Sequence, residues 1–264
     1  MTGNDRMMDW FLRDDFWELT YPFMFPSSRV EKAEADSDAL LRLTSTESGS
    51  SVLDLCCGPG RFSVPLARRG LMVTGIDTSG FLLDIARNRV RAEDLDVELL
   101  NLDMREKVRP GGFDLVVNMF TSFGYFEDCD ENMKVLVNAR ESLRPGGRML
   151  LETMGKETLA SIFLPATCDQ TEEGHLLVQR HGISDDWTRI ENDWILIHGD
   201  RLLGRWSFSH WIYSGAELRD MMLDAGFSEV RLFGDLDGSP YGPDSSRLVV
   251  MALNGSDVRC PGRQ

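Results

Sequence analysis

The chain has 264 residues, enough for one large domain with an embedded cap, and its 42% hydrophobic and 27% charged residues exclude a wholly disordered or fibrous protein. Its 43 acidic against 28 basic residues leave a formal net charge of -15, which repels a phosphate backbone over most of the surface and argues against a nucleic-acid substrate. Cys56, Cys57, Cys129, Cys168 and Cys260 form no CxxC pair, so neither a disulfide framework nor a zinc site is indicated, and a reducing cytoplasm without a bound metal is the expectation.

The amino terminus carries Asp5, Asp9, Asp14 and Asp15 where a signal peptide would place basic and then apolar residues. The longest late apolar run, Leu248 to Leu253, is too short to span a bilayer, so no membrane partner is expected. From Trp10 to Phe25, seven aromatic residues stand among acids: Trp10, Phe11, Phe16, Trp17, Tyr21, Phe23 and Phe25. They must bury against something. Residues 1–50 are therefore expected to be a helical lid segment, packed on the core, with aromatics, Tyr21 among them, that also shield a bound cofactor from water.

Strand-like apolar runs and helical patterns alternate from Ser51: SVLDLCC, a helix from about Arg61, LMVTGI, a helix from Ser79 to about Glu93, VELL at Val97, FDLVVNM at Phe113, a helix near Asp130 to Leu143, and RMLLET after a Pro145-Gly146-Gly147 stop. This is βαβ organisation, and it predicts a doubly wound, mostly parallel sheet covered on both faces over residues 51–174. Arg87, Arg89 and Arg91 cluster at helical spacing and are expected on a solvated face. The pattern changes between His175 and Tyr213 to three alternating runs, HLLVQRHGI, WTRIENDWILI and LLGRWSFSHWIY, which suit a small antiparallel cap inserted after the fifth strand. Residues 214–254 hold a helix, roughly Gly215 to Ala225, and two strands, FSEVRLF and RLVVMAL, that complete a seven-stranded sheet. Residues 255–264 are expected to be a tail.

Chemistry concentrates at the junction VLDLCCGPGRF, with Asp54 inside the first strand and Gly58 and Gly60 in the turn before the helix. Glycine permits a left-handed backbone and close approach to a ligand. A dinucleotide fingerprint would require a third small position as Gly or Ala, where this chain has Ser63, so the match to NAD binding is imperfect. Asp77 closes the second strand, where a carboxylate can accept both hydroxyls of a ribose; the competing reading is an N-cap for the helix that follows Thr78-Ser79. Asp103 lies just past the third strand, on the same rim.

These segments resemble class I S-adenosylmethionine-dependent methyltransferases of the branch that acts on small molecules. VLDLCCGPG resembles the family's first motif, GIDTS its ribose motif, NLDM its adenine motif and LRPGGRMLLET the turn into its fifth strand, together covering about Ser51 to Thr153. The resemblance implies a Rossmann-like α/β fold and a cofactor, S-adenosyl-L-methionine. It places the methionine portion on the backbone from Cys56 and Cys57 to Gly58 and Gly60, with Asp54 of the first strand also a cofactor-binding residue. It places the ribose at Asp77 with Thr78, and the adenine amino group at Asp103 with Leu102 and Met104 flanking the ring. Asn118, ending strand four, is implied to lie near the sulfonium. Cys56 stands where the family usually has Gly. Asn118-Met119-Phe120-Thr121 departs from the Pro-Pro-aromatic signature of nucleic-acid amino methylation, in agreement with the acidic charge.

Methyl transfer to a nitrogen or oxygen of a small molecule needs alignment, exclusion of water and the management of one proton. Tyr125 and Phe126, in TSFGYFED, are candidates for the acceptor wall, Tyr125 also as a catalytic residue. Strand alternation puts Trp206, Phe208, His210 and Ile212 on one face and Arg205, Ser207, Ser209, Trp211 and Tyr213 on the other, the first set being the more buried by expectation. His210, polar among apolar neighbours, is the candidate proton acceptor, against a hydrogen-bonded structural role for each cap histidine. A monomer or homodimer is expected. Two other functions stay open at this stage: a catalytically silent cofactor binder and a dinucleotide-dependent oxidoreductase.

Overall fold

A computed structural model describes residues 10–184 and 186–255. Cys260 and the tail beyond Gly255, like Asp5 and Asp9, lie outside the described residues. The chain opens with a 3-10 turn, Trp10–Leu12, followed by α1 (Asp14–Met24) and α2 (Ser27–Thr44). The alternating half comprises β1 (Ser51–Leu55), α3 (Ser63–Arg68), β2 (Met72–Asp77), α4 (Gly80–Ala92), β3 (Val97–Asn101), β4 (Phe113–Asn118), α5 (Cys129–Ser142) and β5 (Leu143–Thr153). After α6 (Lys156–Ile162) come β6 (Ala166–Gln170), β7 (His175–Ile183), β8 (Arg189–His198) and β9 (Arg201–Trp211), and then α7 (Gly215–Asp224), β10 (Glu229–Phe233) and β11 (Leu248–Leu253).

The main sheet has seven strands in the order β10-β11-β5-β4-β1-β2-β3, all parallel except β11, which runs antiparallel to both of its neighbours. Strand alternation builds both of its faces. Leu53 and Leu55 of β1, Val116 of β4 and Met149 and Leu151 of β5 share one core cluster with α5 and α7. Val52, Leu115, Val117 and Leu150 share the opposite cluster with Leu40 of α2 and Leu66 of α3. Helix α2 shows its buried stripe as Ala33, Ser37, Leu40 and Thr44, with the Ser37 and Thr44 hydroxyls returned to the Ala33 and Leu40 carbonyls. The strand order reverses at β1, between β4 and β2, and that switch point leaves a crevice beyond the carboxyl ends of the strands.

The antiparallel cap is a second sheet of four strands, β6-β7-β8-β9. It starts one strand earlier than the three runs from His175 suggest. β6 is nearly all exposed and has no alternating apolar pattern to announce it. On β9, Trp206 is buried while Arg205 and Ser207 face solvent, with Arg205 paired to Asp193 at 2.8 Å. The two-face pattern ends where the strand reaches the core. Tyr213, placed by alternation on the exposed side, is buried against Phe123, because the Trp211 N–H donates to the Gly124 carbonyl at 2.8 Å and draws the chain inward.

The amino-terminal aromatics pack on the cap. Phe16 is fully buried beside Trp194 and Trp206, with ring centroids 5.6 and 5.4 Å away, and Trp10 stacks on Phe208 at 4.5 Å. No helix among the described residues is long and apolar enough to cross a membrane.

Candidate active site

At the crevice β1 leaves the sheet through Cys56-Cys57-Gly58. Cys56 and Gly58 both have a left-handed backbone, with φ of 58° and 54°. Gly58 adopts it without steric cost, and the turn is stitched to β2 by the Cys57 N–H donating to the Ile76 carbonyl at 2.9 Å and the Gly58 N–H donating to Asp77 Oδ2 at 2.8 Å. Gly60 does a different job: a Cβ there would lie 3.2 Å from Val64 and 3.3 Å from Ala86, so its bareness lets α3 and α4 close on the loop. The thiol side chain at Cys56 costs roughly 1 kcal/mol in this conformation. Cys56→Gly is expected to raise the melting temperature by about 2–4 °C, measured by scanning calorimetry.

Asp77 is the anchor of the rim. One carboxylate oxygen accepts from Gly58 and the other from the Ser79 N–H at 2.9 Å, which leaves outward lone pairs for a diol. Burial pushes its pKa up, and those backbone hydrogen bonds pull against the shift. The N-cap role belongs to Ser79, whose hydroxyl accepts from the Leu82 N–H at 3.3 Å. Asp103 accepts from the Arg105 backbone at 2.8 Å and from its guanidinium at 2.7 Å; burial raises its carboxyl, but these bonds outweigh burial and leave it below its ordinary value. Leu102, Met104, Phe11 and Phe126 line the cavity at this end, with Phe126 4.2 Å beneath the Arg105 guanidinium.

Asp54 sits under the loop at 3% exposure, its carboxylate accepting from the Ser63 hydroxyl at 2.6 Å. Burial lifts its pKa from 3.8 to about 7, against the pull of the Ser63 hydrogen bond. A raised folded-state pKa means stability that is fully present below 3.8 and is lost as the pH rises through 7. Asp54→Asn keeps an acceptor for Ser63 without the buried charge. Denaturant titrations should therefore show the variant gaining on the wild type from about pH 4 to 7 and holding its advantage above that.

Part of the cavity wall is cationic: Arg29 and Lys32 from α2, Arg61 in the turn before α3, and Arg247. Arg247 is held by Asp36 at 3.4 Å and Asp235 at 3.2 Å. Arg61 lies over the Phe120 ring, its Nε buried without a partner, and burial reinforced by Arg29 lowers its pKa to about 9. Phe120 and Thr121, straight after β4, have consecutive left-handed φ of 59° and 55°. Glu152 holds that bend, its carboxylate accepting from the Phe120 N–H at 2.7 Å and its carbonyl from the Thr121 N–H at 3.1 Å.

Tyr125 and His210 line the same cavity, with ring centroids 4.6 Å apart. Burial pushes the Tyr125 phenol up, so it stays neutral. Burial, with Arg189 and His181 adding to it, lowers His210 to about 4. The His210 Nδ1, the Asn192 Nδ2 and the indole N–H groups of Trp10 and Trp194 are buried without partners, and all four residues line the cavity. Asn192 is oriented by His181, Nδ1 to Oδ1 2.8 Å, whereas Arg189 turns to the other side and donates to Ser209 at 2.7 Å.

One cavity of about 640 Å³ joins these groups. It brings together Asp54, Cys56, Cys57, Gly58, Asp77, Thr78, Leu102, Asp103 and Met104 on the rim with Tyr125 and His210. Gly60, Asn118 and Tyr21 do not line it. Asn118 is fully buried and donates to the Leu55 carbonyl at 3.2 Å, which ties β4 to β1. The Tyr21 hydroxyl accepts from Arg89 at 3.2 Å, and Arg89, expected on a solvated face, also donates to the Pro59 carbonyl at 3.1 Å. Sequence reasoning missed the cationic part of the wall. Arg61 follows the glycine loop directly, but Arg29 and Lys32 sit in a charged helical stretch, and Arg247 in a loop, with nothing to distinguish them from solvated surface.

Residues 52–147 match the family described as a methyltransferase domain. YqeM of Bacillus subtilis (strain 168), which carries a methyltransferase name, is 28% identical over 78% of this chain and 85% of its own length. A ubiquinone biosynthesis O-methyltransferase of Coxiella burnetii (strain Dugway 5J108-111) is 25% identical over 62% of this chain and 70% of its own. Among solved structures, S-adenosylmethionine-bound CalS10, an amino pentose methyltransferase of Micromonospora echinaspora, superposes with a TM-score of 0.65 at 21% identity, covering 90% of this chain and 96% of that one. The sheet order and the glycine turn braced on Asp77 agree with these matches: residues 52–147 are similar to a methyltransferase domain, and the chain shares the fold of the solved methyltransferases.

Proposed function

We propose that the chain transfers a methyl group from S-adenosylmethionine to a nitrogen or oxygen atom of a small-molecule acceptor held between Tyr125 and the cap. The observation that carries this is the single cavity lined both by the cofactor rim and by His210, Tyr125 and aromatic walls. The residues suit the cofactor: Asp77 offers free lone pairs to a ribose diol, Leu102 and Met104 a slot for adenine, and the buried, unpartnered Arg61 a cation for the amino-acid carboxylate.

The bound cofactor supplies a methyl group on a sulfonium, an electrophile that needs no further activation. Held there, it would pass that methyl group to the acceptor atom with S-adenosylhomocysteine as the leaving product, and what remains for this chain is to align the acceptor and to let its one proton pass to His210 or to water. His210, neutral at ordinary pH with Nδ1 free, is placed to take a hydrogen bond from that atom, and the Tyr125 phenol to orient it. The aromatic residues of α1 and the cap keep water out. A cavity of about 640 Å³ and an acidic chain suit a small molecule and not a polyanion. The names of the ubiquinone and amino pentose relatives support the same class of acceptor.

The test is incubation of the protein and deuteromethyl-labelled cofactor with metabolite extracts, followed by mass spectrometry. A labelled product with matching S-adenosylhomocysteine is expected. Cofactor binding with no labelled product from any extract would make the chain a silent binder.

A further inference from the structure

A second cavity, of about 310 Å³, adjoins the first and shares Thr121, Met154, Asn192 and His210 with it. Beyond that junction its walls are largely apolar, with Leu159, Ile162, Phe163, Leu164 and Ile190 supplying most of them, and no acid, lysine or arginine lines it among the described residues. Leu159 and Ile190 are buried in a small core with Ile212, which fixes α6 against the cap. The mouth is different. Ile162 and Leu164 are 53% and 58% exposed, two large apolar side chains left in water beside an apolar cavity.

We propose that this second cavity is the outer half of the acceptor site and takes an aliphatic arm of the methyl acceptor, whose polar end lies at the His210–Asn192 junction. The proposal rests on the methyl-transfer function above. Its ground is adjacency: the apolar cavity and the catalytic cavity share, as a common wall, two of the cap residues that keep a buried polar atom without a partner. An amphipathic small molecule answers both features at once. Its polar end supplies hydrogen bonds to Asn192 Nδ2 and His210 Nδ1, and its arm covers Ile162 and Leu164. A surface that only docked a protein would not need His210 and Asn192 in the wall behind it.

The probes are phenol, 4-butylphenol and 4-octylphenol, titrated by tryptophan fluorescence quenching in the presence of saturating S-adenosylhomocysteine. Affinity should rise roughly two- to fourfold per methylene in the wild type. The rise should flatten in Ile162→Asp and in Leu164→Asp, surface changes that leave S-adenosylhomocysteine affinity as it was. No dependence on chain length, or the same dependence in both variants as in the wild type, overturns the proposal. So does a wild-type dimer in sedimentation velocity that the variants dissolve while the slope is flat, which gives the face to a second copy. Absence of S-adenosylhomocysteine heat in calorimetry alongside an intact chain-length slope fails the methyl-transfer reading and leaves the arm site standing.

Discussion

Asp77→Ala should weaken binding of S-adenosylmethionine and S-adenosylhomocysteine by about 1.5–3 kcal/mol, roughly ten- to a hundredfold, in isothermal calorimetry. Two losses combine. The ribose loses a charge-assisted acceptor, and the Gly58 and Ser79 N–H groups lose the carboxylate that holds the glycine turn to the end of β2. Asp77→Asn separates them, because it keeps the shape but swaps one acceptor oxygen for an NH₂ that must face a backbone donor. Its affinity should fall between wild type and Asp77→Ala, with a lowered melting temperature from the donor–donor conflict. Unchanged cofactor affinity in Asp77→Ala would put the ribose elsewhere on the rim.

That rim was legible in the sequence because everything that makes it is local. A strand, a glycine turn, a helix start and an acid at the end of the next strand follow one another within the 27 residues from Ser51 to Asp77, each with its own period or turn chemistry. The antiparallel pair β10 and β11 could be placed for the same reason. What escaped is assembled over long separations or carries no pattern. Helix α2 buries Ala33, Ser37, Leu40 and Thr44, a stripe too poor in large apolar residues to stand out, and so its Arg29 and Lys32 looked like solvent charges. Strand β6 is an exposed edge whose pairing with β7 decides its conformation. Asn118 shows the limit of motif position. It sits at the expected strand end, but its amide is spent on the Leu55 carbonyl, and the backbone bend at Phe120 and Thr121 reaches the cavity instead.

His210 separates a chemical role from a structural one through pH. A histidine at its ordinary value would give a rate limb near 6.5, whereas burial with Arg189 and His181 nearby lowers this ring to about 4. The folded protein then holds fewer protons than the unfolded chain between those values. Stability present above pH 6.5 is lost as the pH falls through 4, by about 3 kcal/mol in all. His210→Gln, which does not titrate, should be spared that loss, and urea titrations of both proteins from pH 7 down to 4.5 measure it as a shrinking gap. Once an acceptor is in hand, the same ring predicts a rate that is flat in this group from pH 5.5 to 9, since His210 is neutral throughout. His210→Ala should then lower turnover by about a hundredfold, the low end for a general base, because a ring of such low basicity accepts a proton weakly. The profile's shape and the cofactor affinity should not change. A limb centred near 6.5 that disappears in the variant would mean that the ring regains water or a carboxylate partner when the acceptor binds. Wild-type turnover in His210→Ala would leave the ring a packing group beside Tyr125, and alignment and desolvation would carry the reaction unaided.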